Sequence, residues 1–149
     1  MTNSTITIRP LAPCDRVAWD EMWAGYLAFY QTVLTPEITE DTWRRALSGA
    51  LIGLVAVDAS DRPLGFAHAL LHVGTWSPKP LCYLEDLFVR DEARGRGIGG
   101  ALIAALAERG RREGWLRLYW QTARDNERAQ RLYDQVAQRT NWLRYDLDL

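Results

Sequence analysis

Between Tyr83 and Ala107 the hydrophobic pattern of this chain changes period, and glycines punctuate the change. Tyr83-Leu-Glu-Asp-Leu-Phe-Val89 is an apolar run of strand length. From Ile98 onward the apolar residues Ile98, Ala101, Leu102, Ala105 and Leu106 recur at helical steps. Between them, Gly95, Gly97, Gly99 and Gly100 let the backbone turn tightly and let a ligand approach with no Cβ in the way. The first N–H groups of such a helix are unpaired and its dipole end is positive, so both favour an anion. Arg90, Arg94 and Arg96 add full charges beside it. The stretch predicts a site for a phosphorylated ligand.

Nucleotide motifs fit this turn poorly. A Walker loop needs Lys and Ser or Thr after its last glycine, where Ala101-Leu102 stands. The dinucleotide fingerprint G-x-G-x-x-G is matched by Gly95, Gly97 and Gly100, but it also requires an acid about 20 residues on, closing the next strand. The next strand-like run, Trp115 to Trp120, is followed by Gln121-Thr-Ala. Too little chain then remains for a doubly wound fold.

At 149 residues and 48% hydrophobic the chain is one domain's worth, enough to bury roughly 70% of its unfolded surface. A net charge of -1 supplies no field toward nucleic acid. Cys14 and Cys82 stand alone without metal-ligand spacing, so a reduced, cytoplasmic chain without a metal is expected. No signal peptide is expected from the polar opening, residues 1 to 7, and no apolar run is long enough to span a membrane.

Taken in order, residues 5 to 10 alternate as a strand stopped by Pro10, and Asp15 is a candidate N-cap for a helix to about residue 31. Trp19, Trp23, Tyr26 and Tyr30 form an aromatic stripe on that helix, a pattern that usually marks core. Thr35-Pro36 reads as cap and first residue of a second helix ended by Gly49. Residues 51 to 57 and 64 to 73 form a hairpin about the turn Asp58-Ala-Ser-Asp-Arg-Pro63. His68 and His72 on its second strand read as packed or rim histidines, since no ligand set stands near them in sequence. After the glycine turn, a long helix ends at Gly114, and a strand over 115 to 120 lies parallel to the central one because a helix joins them. Asp125 or Asn126 caps a last helix with an apolar stripe Ala129, Leu132, Tyr133 and Val136. Residues 142 to 149 alternate as a terminal strand, and Leu143, Tyr145, Leu147 and Leu149 on one side offer a surface for a homodimer.

Arg94-Gly-Arg-Gly-Ile-Gly resembles the (Arg/Gln)-x-x-Gly-x-(Gly/Ala) turn of the GCN5-related N-acetyltransferases (GNAT), which bind the pyrophosphate of acetyl-coenzyme A. The resemblance covers most of the chain, including Tyr83-Leu-Glu-Asp-Leu-Phe-Val and the run from Asn126 to Tyr133. It implies an α/β (α+β) fold with a central mixed, mainly antiparallel sheet flanked by helices. It also implies acetyl-CoA as co-substrate, held by Leu87, Phe88, Val89, Arg94, Gly95, Arg96, Gly97, Ile98, Gly99, Gly100 and Asn126. In that family the central strand bulges and splays from its neighbour, freeing backbone around Leu87 and Val89 for the pantetheine arm. The first helices line the acceptor cleft, which would place Trp23, Tyr26, Tyr30 and Asp86 against a small amine. The spelling of the central strand is most similar to the polyamine and diamine branch, and Leu-Tyr-Asp-Gln-Val-Ala followed by Trp-Leu-Arg-Tyr resembles a yeast and bacterial branch acting on histones, polyamines or D-amino acids. The usual Gly-Phe after the late tyrosine is missing here, which bears on the acceptor rather than the donor.

Acetyl transfer to an amine poses two proton problems. An alkylammonium with a pKa near 10 costs on the order of 4 to 5 kcal/mol to neutralise at pH 7, so a base is needed, and an acid should meet the departing thiolate. A carboxylate amid Leu84, Leu87 and Phe88 is partly desolvated, which raises its pKa. Period-two geometry sends Glu85 and Asp86 to opposite faces, so only one should face the cleft. Both remain open as base, with Glu85 the family's usual candidate. Tyr133 stands at the spacing of the family's general acid, although periodicity alone makes it core. Neither cysteine stands where an acyl-enzyme nucleophile is indicated, so direct transfer to a small amine such as a polyamine, diamine or amino acid is expected. A non-catalytic acyl-CoA sensor and a histone-tail acetyltransferase are the alternatives.

Overall fold

The computed structural model describes residues 5–149, and the first residues of the polar opening, 1–4, lie outside them. One five-stranded sheet in the order β1-β2-β3-β4-β5 is built from β1 (Thr7–Pro10), β2 (Ile52–Val57), β3 (Pro63–His72), β4 (Leu81–Val89) and β5 (Arg117–Tyr119). The first three pairings are antiparallel and the last is parallel. The helices are α1 (Arg16–Phe29), α2 (Pro36–Ser48), α3 (Ile98–Glu113) and α4 (Glu127–Val136). None among the described residues is long and apolar enough to cross a membrane. The expected mixed, mainly antiparallel sheet with flanking helices is what forms.

Alternation along the strands divides the core. Ile52, Leu54 and Ala56 of β2 pack with Leu102 and Leu106 of α3, whereas Val55, Val57 and Phe66 meet Trp19, Met22 and Trp43 of α1 and α2. β2 is buried on both faces, which is why its sequence runs apolar without a break. Local signals fix the ends. Thr35 accepts the N–H of Ile38, with Pro36 as first helical residue, and Gly49 and Gly114 close α2 and α3 in left-handed conformations. Asp58 Oδ1 takes the N–H groups of Ser60 and Arg62, so the hairpin turn is held by its own first residue.

Four expectations change. Asp15 adopts helical angles and caps nothing in α1. It closes a 3-10 turn, Pro13–Asp15, by accepting from Ala12 N, and pairs with Arg9 at 2.7 Å. Arg90 turns away from the glycines: it donates to Pro63 O and pairs with Glu21 on α1. Val136 is 49% exposed because α4 contributes no fully buried residue. Residues 142 to 149 form no strand, and Trp142, Leu143, Tyr145, Leu147 and Leu149 are exposed. Alternation signals a strand only where a neighbouring edge supplies its hydrogen bonds, and that condition is not local.

Arg9 bridges Asp15 and Asp61, and its hydrogen bonds hold the buried Asp15 carboxyl below the ordinary 3.8. A depressed carboxyl stabilises the fold above its unfolded pKa and loses that contribution as pH falls through the native one. Asp15→Asn should therefore cost about 2 to 3 kcal/mol at pH 7, somewhat under the range for breaking a fully buried pair because Arg9 is part-exposed. Urea midpoints against pH should show the gap between the two proteins narrowing below about pH 4.

Candidate active site

β3 and β4 pair without interruption from Gly65↔Val89 to His68↔Asp86, then resume at Ala69↔Leu84, leaving Glu85 as one extra residue. This bulge resets the alternation of β4. Before it Cys82 and Leu84 face α3; after it Leu87 and Val89 do, and Phe88 faces α1. Glu85 and Asp86 consequently lie on the same side of the sheet, both close enough to act on the Tyr26 phenol. The expectation that period-two geometry parts them is overturned, because a bulge is the one place where that period fails. β5 pairs only with residues 81 to 83. Beyond Tyr83, β4 has β3 as its sole strand neighbour among the described residues, and the opened edge is the splay that the sequence itself does not encode locally.

Two cavities flank this edge. The first, of about 390 Å³, lies between the open end of β4, the start of α3, and α4. It is lined by residues 87–89, Arg94, Gly95, residues 97–100, Asn126 and Tyr133, and it collects nearly the whole set expected to meet a phosphorylated ligand. Arg96 is not on its wall. Sequence reasoning missed Phe29, Arg128 and Leu132, whose membership follows from how α1 and α4 pack. The second cavity, of about 710 Å³, is lined by Glu85, Tyr83, Tyr119, Gln121 and Arg144, among others. Tyr26 and Tyr30 belong to both walls. Trp23 lines neither; it is stacked between Trp19 and Tyr26 in the core, 5.4 Å from each ring centre. Arg144 had no signal in the sequence beyond the alternation of a strand that does not form.

At the glycine turn, Gly95 and Gly97 have φ of 78° and 76°, and a Cβ on either would meet nothing within 4 Å. Glycine is needed there for the backbone angle, not for room against the protein. No side chain caps α3, so its first N–H groups open toward the cavity. Those donors, the dipole and Arg94 match the chemistry of a pyrophosphate, and the capless turn passes the test of fit for the CoA expected above. Asn126 both caps α4, accepting from Ala129 N, and reaches the cavity wall.

Electrostatics separate the acids. Burial first, then the like charge of Asp86, raises the Glu85 carboxyl, against the pull of Arg144. Asp86 is 12% exposed, and His68 Nδ1 lies 2.9 Å from its Oδ2. Tyr26 is pushed well above its ordinary value by burial, then by the charge of Asp86 and a hydrogen bond to it. Burial also raises the Tyr133 phenol, which packs edge-on to Trp120. His68 is packed and His72 sits at the rim against the Tyr119 hydroxyl, as their sequence context suggested. Cys82 is fully buried, and desolvation lifts its thiol to about 11, which removes it as a nucleophile.

Comparison with known proteins agrees with this architecture. The family model described as Acetyltransferase (GNAT) family matches residues 17–137. The D-amino-acid N-acetyltransferase HPA3 of Saccharomyces cerevisiae is 35% identical over 148 residues, covering 97% of this chain and 92% of that protein. The aminoglycoside N(6')-acetyltransferase type 1 of Stenotrophomonas maltophilia is 30% identical over 109 residues, covering 71% and 68%. Among solved structures, AAC(6')-Iy in complex with the bisubstrate analog CoA-S-monomethyl-acetylneamine superposes with a TM-score of 0.81 at 21% identity, covering 98% of this chain and 99% of that one. At that identity the likeness speaks for the fold.

A methyl group at Gly99 would enter the cavity wall at 3.4 Å from Leu132 and 3.9 Å from Leu87 and Val89, an ordinary contact distance. Gly99→Ala should thus leave the melting temperature unchanged or slightly higher while weakening CoA binding about tenfold, roughly 1.4 kcal/mol. Calorimetric titration with CoA checks this. Gly97→Ala is the poorer probe, since at a φ of 76° it strains the backbone as well.

Proposed function

Because this chain belongs to the GNAT acetyltransferase family and is an acetyl-CoA-dependent N-acetyltransferase, we propose that the glycine-turn cavity holds the donor and the tyrosine-lined cavity holds the amine, and that the amine is a small amino acid. The observation that carries this reading is the composition of the second cavity. Glu85 lies on its wall with Asp86 recessed beside it, and Arg144 stands within range of Glu85. Two acids suit an ammonium and a guanidinium suits a carboxylate. An amino acid carries both groups. A polyamine, the acceptor suggested by the spelling of β4, would set a cation against Arg144. The relative named for D-amino acids supports the same choice.

In this reading Arg94, Gly95 and residues 97 to 100 with Asn126 grip the pyrophosphate, and backbone of residues 87 to 89 on the open edge of β4 pairs with the arm behind it. Bound acetyl-CoA supplies the activated thioester. Glu85, directly or through a water, takes the proton from the ammonium, and its raised pKa brings it closer to the working pH. The amine nitrogen then bonds to the acetyl carbon as the carbon–sulfur bond breaks. Tyr133 donates a proton to the departing sulfur, for which a phenol is well matched. Transfer is direct, since neither cysteine lies on a cavity wall. The exposed apolar residues beyond α4 offer the surface through which two copies would associate, and sedimentation equilibrium reads that directly.

Thiol release from acetyl-CoA against amino acids of both hands, polyamines, aminoglycosides and a histone-tail peptide tests the acceptor. Turnover confined to amino acids is expected; turnover confined to polyamines would overturn the choice, and tight CoA binding without turnover on any amine would favour a sensor. Glu85→Gln should lower kcat/KM for the amine by about 10² to 10⁴. Tyr133→Phe should lower kcat with CoA affinity intact. Base action needs ionised Glu85, so activity falls as pH drops through a carboxyl pKa above the ordinary 4.5. Asp86→Asn removes the like charge and should move that acid limb to lower pH. Arg144→Ala should move it to higher pH, read as differences between variants on one substrate.

A further inference from the structure

Asp86 lines neither cavity but lies close to the wall residues Tyr26 and Tyr30, and it ends a row of three side chains crossing from α1 through β3 to β4. The indole Nε1–H of Trp19 donates to Nε2 of His68 at 3.1 Å, and Nδ1 of the same ring lies 2.9 Å from Asp86 Oδ2. Trp19 and His68 are both 0% exposed, so no water competes for these contacts. An indole nitrogen only donates. Nε2 must therefore present a lone pair, and the single ring proton is left to Nδ1, which donates it to Asp86. An imidazolium would set its Nε2–H against the indole N–H. The Nε2–H tautomer would do the same and would also turn a lone pair on the carboxylate. One protonation state satisfies both contacts.

The consequence falls on Asp86. The groups that face it are Tyr26 and Tyr30 from α1, His68 from β3, and Glu85 beside it on β4. Two are phenols, one is an imidazole held neutral, and one is a second acid. Among the described residues its ion-pair partner is His68 alone, and the tautomer removes that charge. Asp86 is thus oriented by donors but lacks a fixed countercharge, a costly arrangement for a half-sequestered carboxylate unless a cation arrives from outside.

We propose that Trp19 and His68 are positioning residues of the acceptor site: the indole selects the ring tautomer, the ring aims the Asp86 carboxylate, and that carboxylate is the counter-ion for the ammonium of the incoming amine. The inference rests on the acceptor reading given above and deepens it. No bond changes at Trp19 or His68 during turnover, and the Nδ1 proton stays where it is. Glu85 keeps the role of base. A histidine that the sequence marks only as packed is thereby assigned to substrate recognition through its neighbour.

Two substitutions separate the two ends of the ring. Asparagine places its amide near Nδ1 and can still donate to Asp86, whereas glutamine reaches the Nε2 position and can still accept from Trp19. If the ring acts by aiming Asp86, His68→Gln should lower kcat/KM for the amine by about 10- to 100-fold, part of what a positioned proton-transfer site supplies. His68→Asn should stay within about threefold of the parent, and the KM for acetyl-CoA should hold in both. Equal losses in the two variants, or the reverse order, would overturn the proposal. The unmodified protein offers a second readout that does not depend on activity or on a variant folding. Ring nitrogen chemical shifts from long-range ¹H–¹⁵N correlation, recorded in the activity buffer and assigned with the help of His72→Gln because the chain has 2 histidines, should show the Nδ1–H tautomer. An Nε2–H tautomer or an imidazolium in that buffer would overturn it. If the parent protein acetylates no amine at all, the acceptor reading itself fails; if it turns over normally and the variants do not separate, only the positioning role does.

Discussion

The pairing of β4 is the constraint on which the rest of this molecule depends. The strand is held along its length by β3, is one residue too long for that partner at Glu85, and loses β5 after Tyr83. The excess residue puts two carboxylates on one face. The lost partner opens a backbone edge and lets α3 begin beside it rather than above a closed sheet. Neither cavity would exist with a fully paired, regular β4: one is the gap left by β5, and the other is floored by the bulge.

Much of this was legible in the chain. The change of period after Val89, the glycines and the capping pairs Thr35-Pro36 and Asn126 are local signals, written in residues that touch one another along the sequence. They gave the element order and most of the glycine-turn cavity. The bulge was not legible, because it is a mismatch between two strands, and nothing in Leu84-Glu-Asp-Leu shows where β3 stops keeping step. The same reason hides Arg144, Gln121 and Tyr119, which meet Glu85 only once the chain has folded. Asp15 and Arg90 were misread for a related cause. Each carries a charge that could serve its own local helix or turn, and each instead pairs outside that element, Asp15 with Arg9 on β1 and Arg90 with Glu21 on α1. The terminal alternation was read correctly as a pattern and wrongly as a strand, since among the described residues no strand edge pairs with it.

The aromatic stripe of α1 illustrates how one periodic feature can divide its labour. Its first members, Trp19 and Trp23, are core, stacked on each other and in tilted contact with Trp43 and Phe66. Its last members, Tyr26 and Tyr30, carry hydroxyls and emerge at the cavities. The switch from indole to phenol follows the change from dry to wet surroundings along one helical face, and buried tryptophan remains compatible with it because each indole N–H has a partner, His68 or Thr39.

That only Tyr26 and Tyr30 belong to both cavity walls has a consequence for how such proteins diverge. A lineage that reshapes acceptor preference through either tyrosine also alters the chamber on the other side, so those two positions drift under a double selection. Changes at Tyr83, Tyr119, Gln121 or Arg144 touch one chamber alone. New substrate ranges are therefore expected to accumulate first along β5 and the segment after α4, while the end of α1 changes slowly, as the hinge of a trade-off between two ligands.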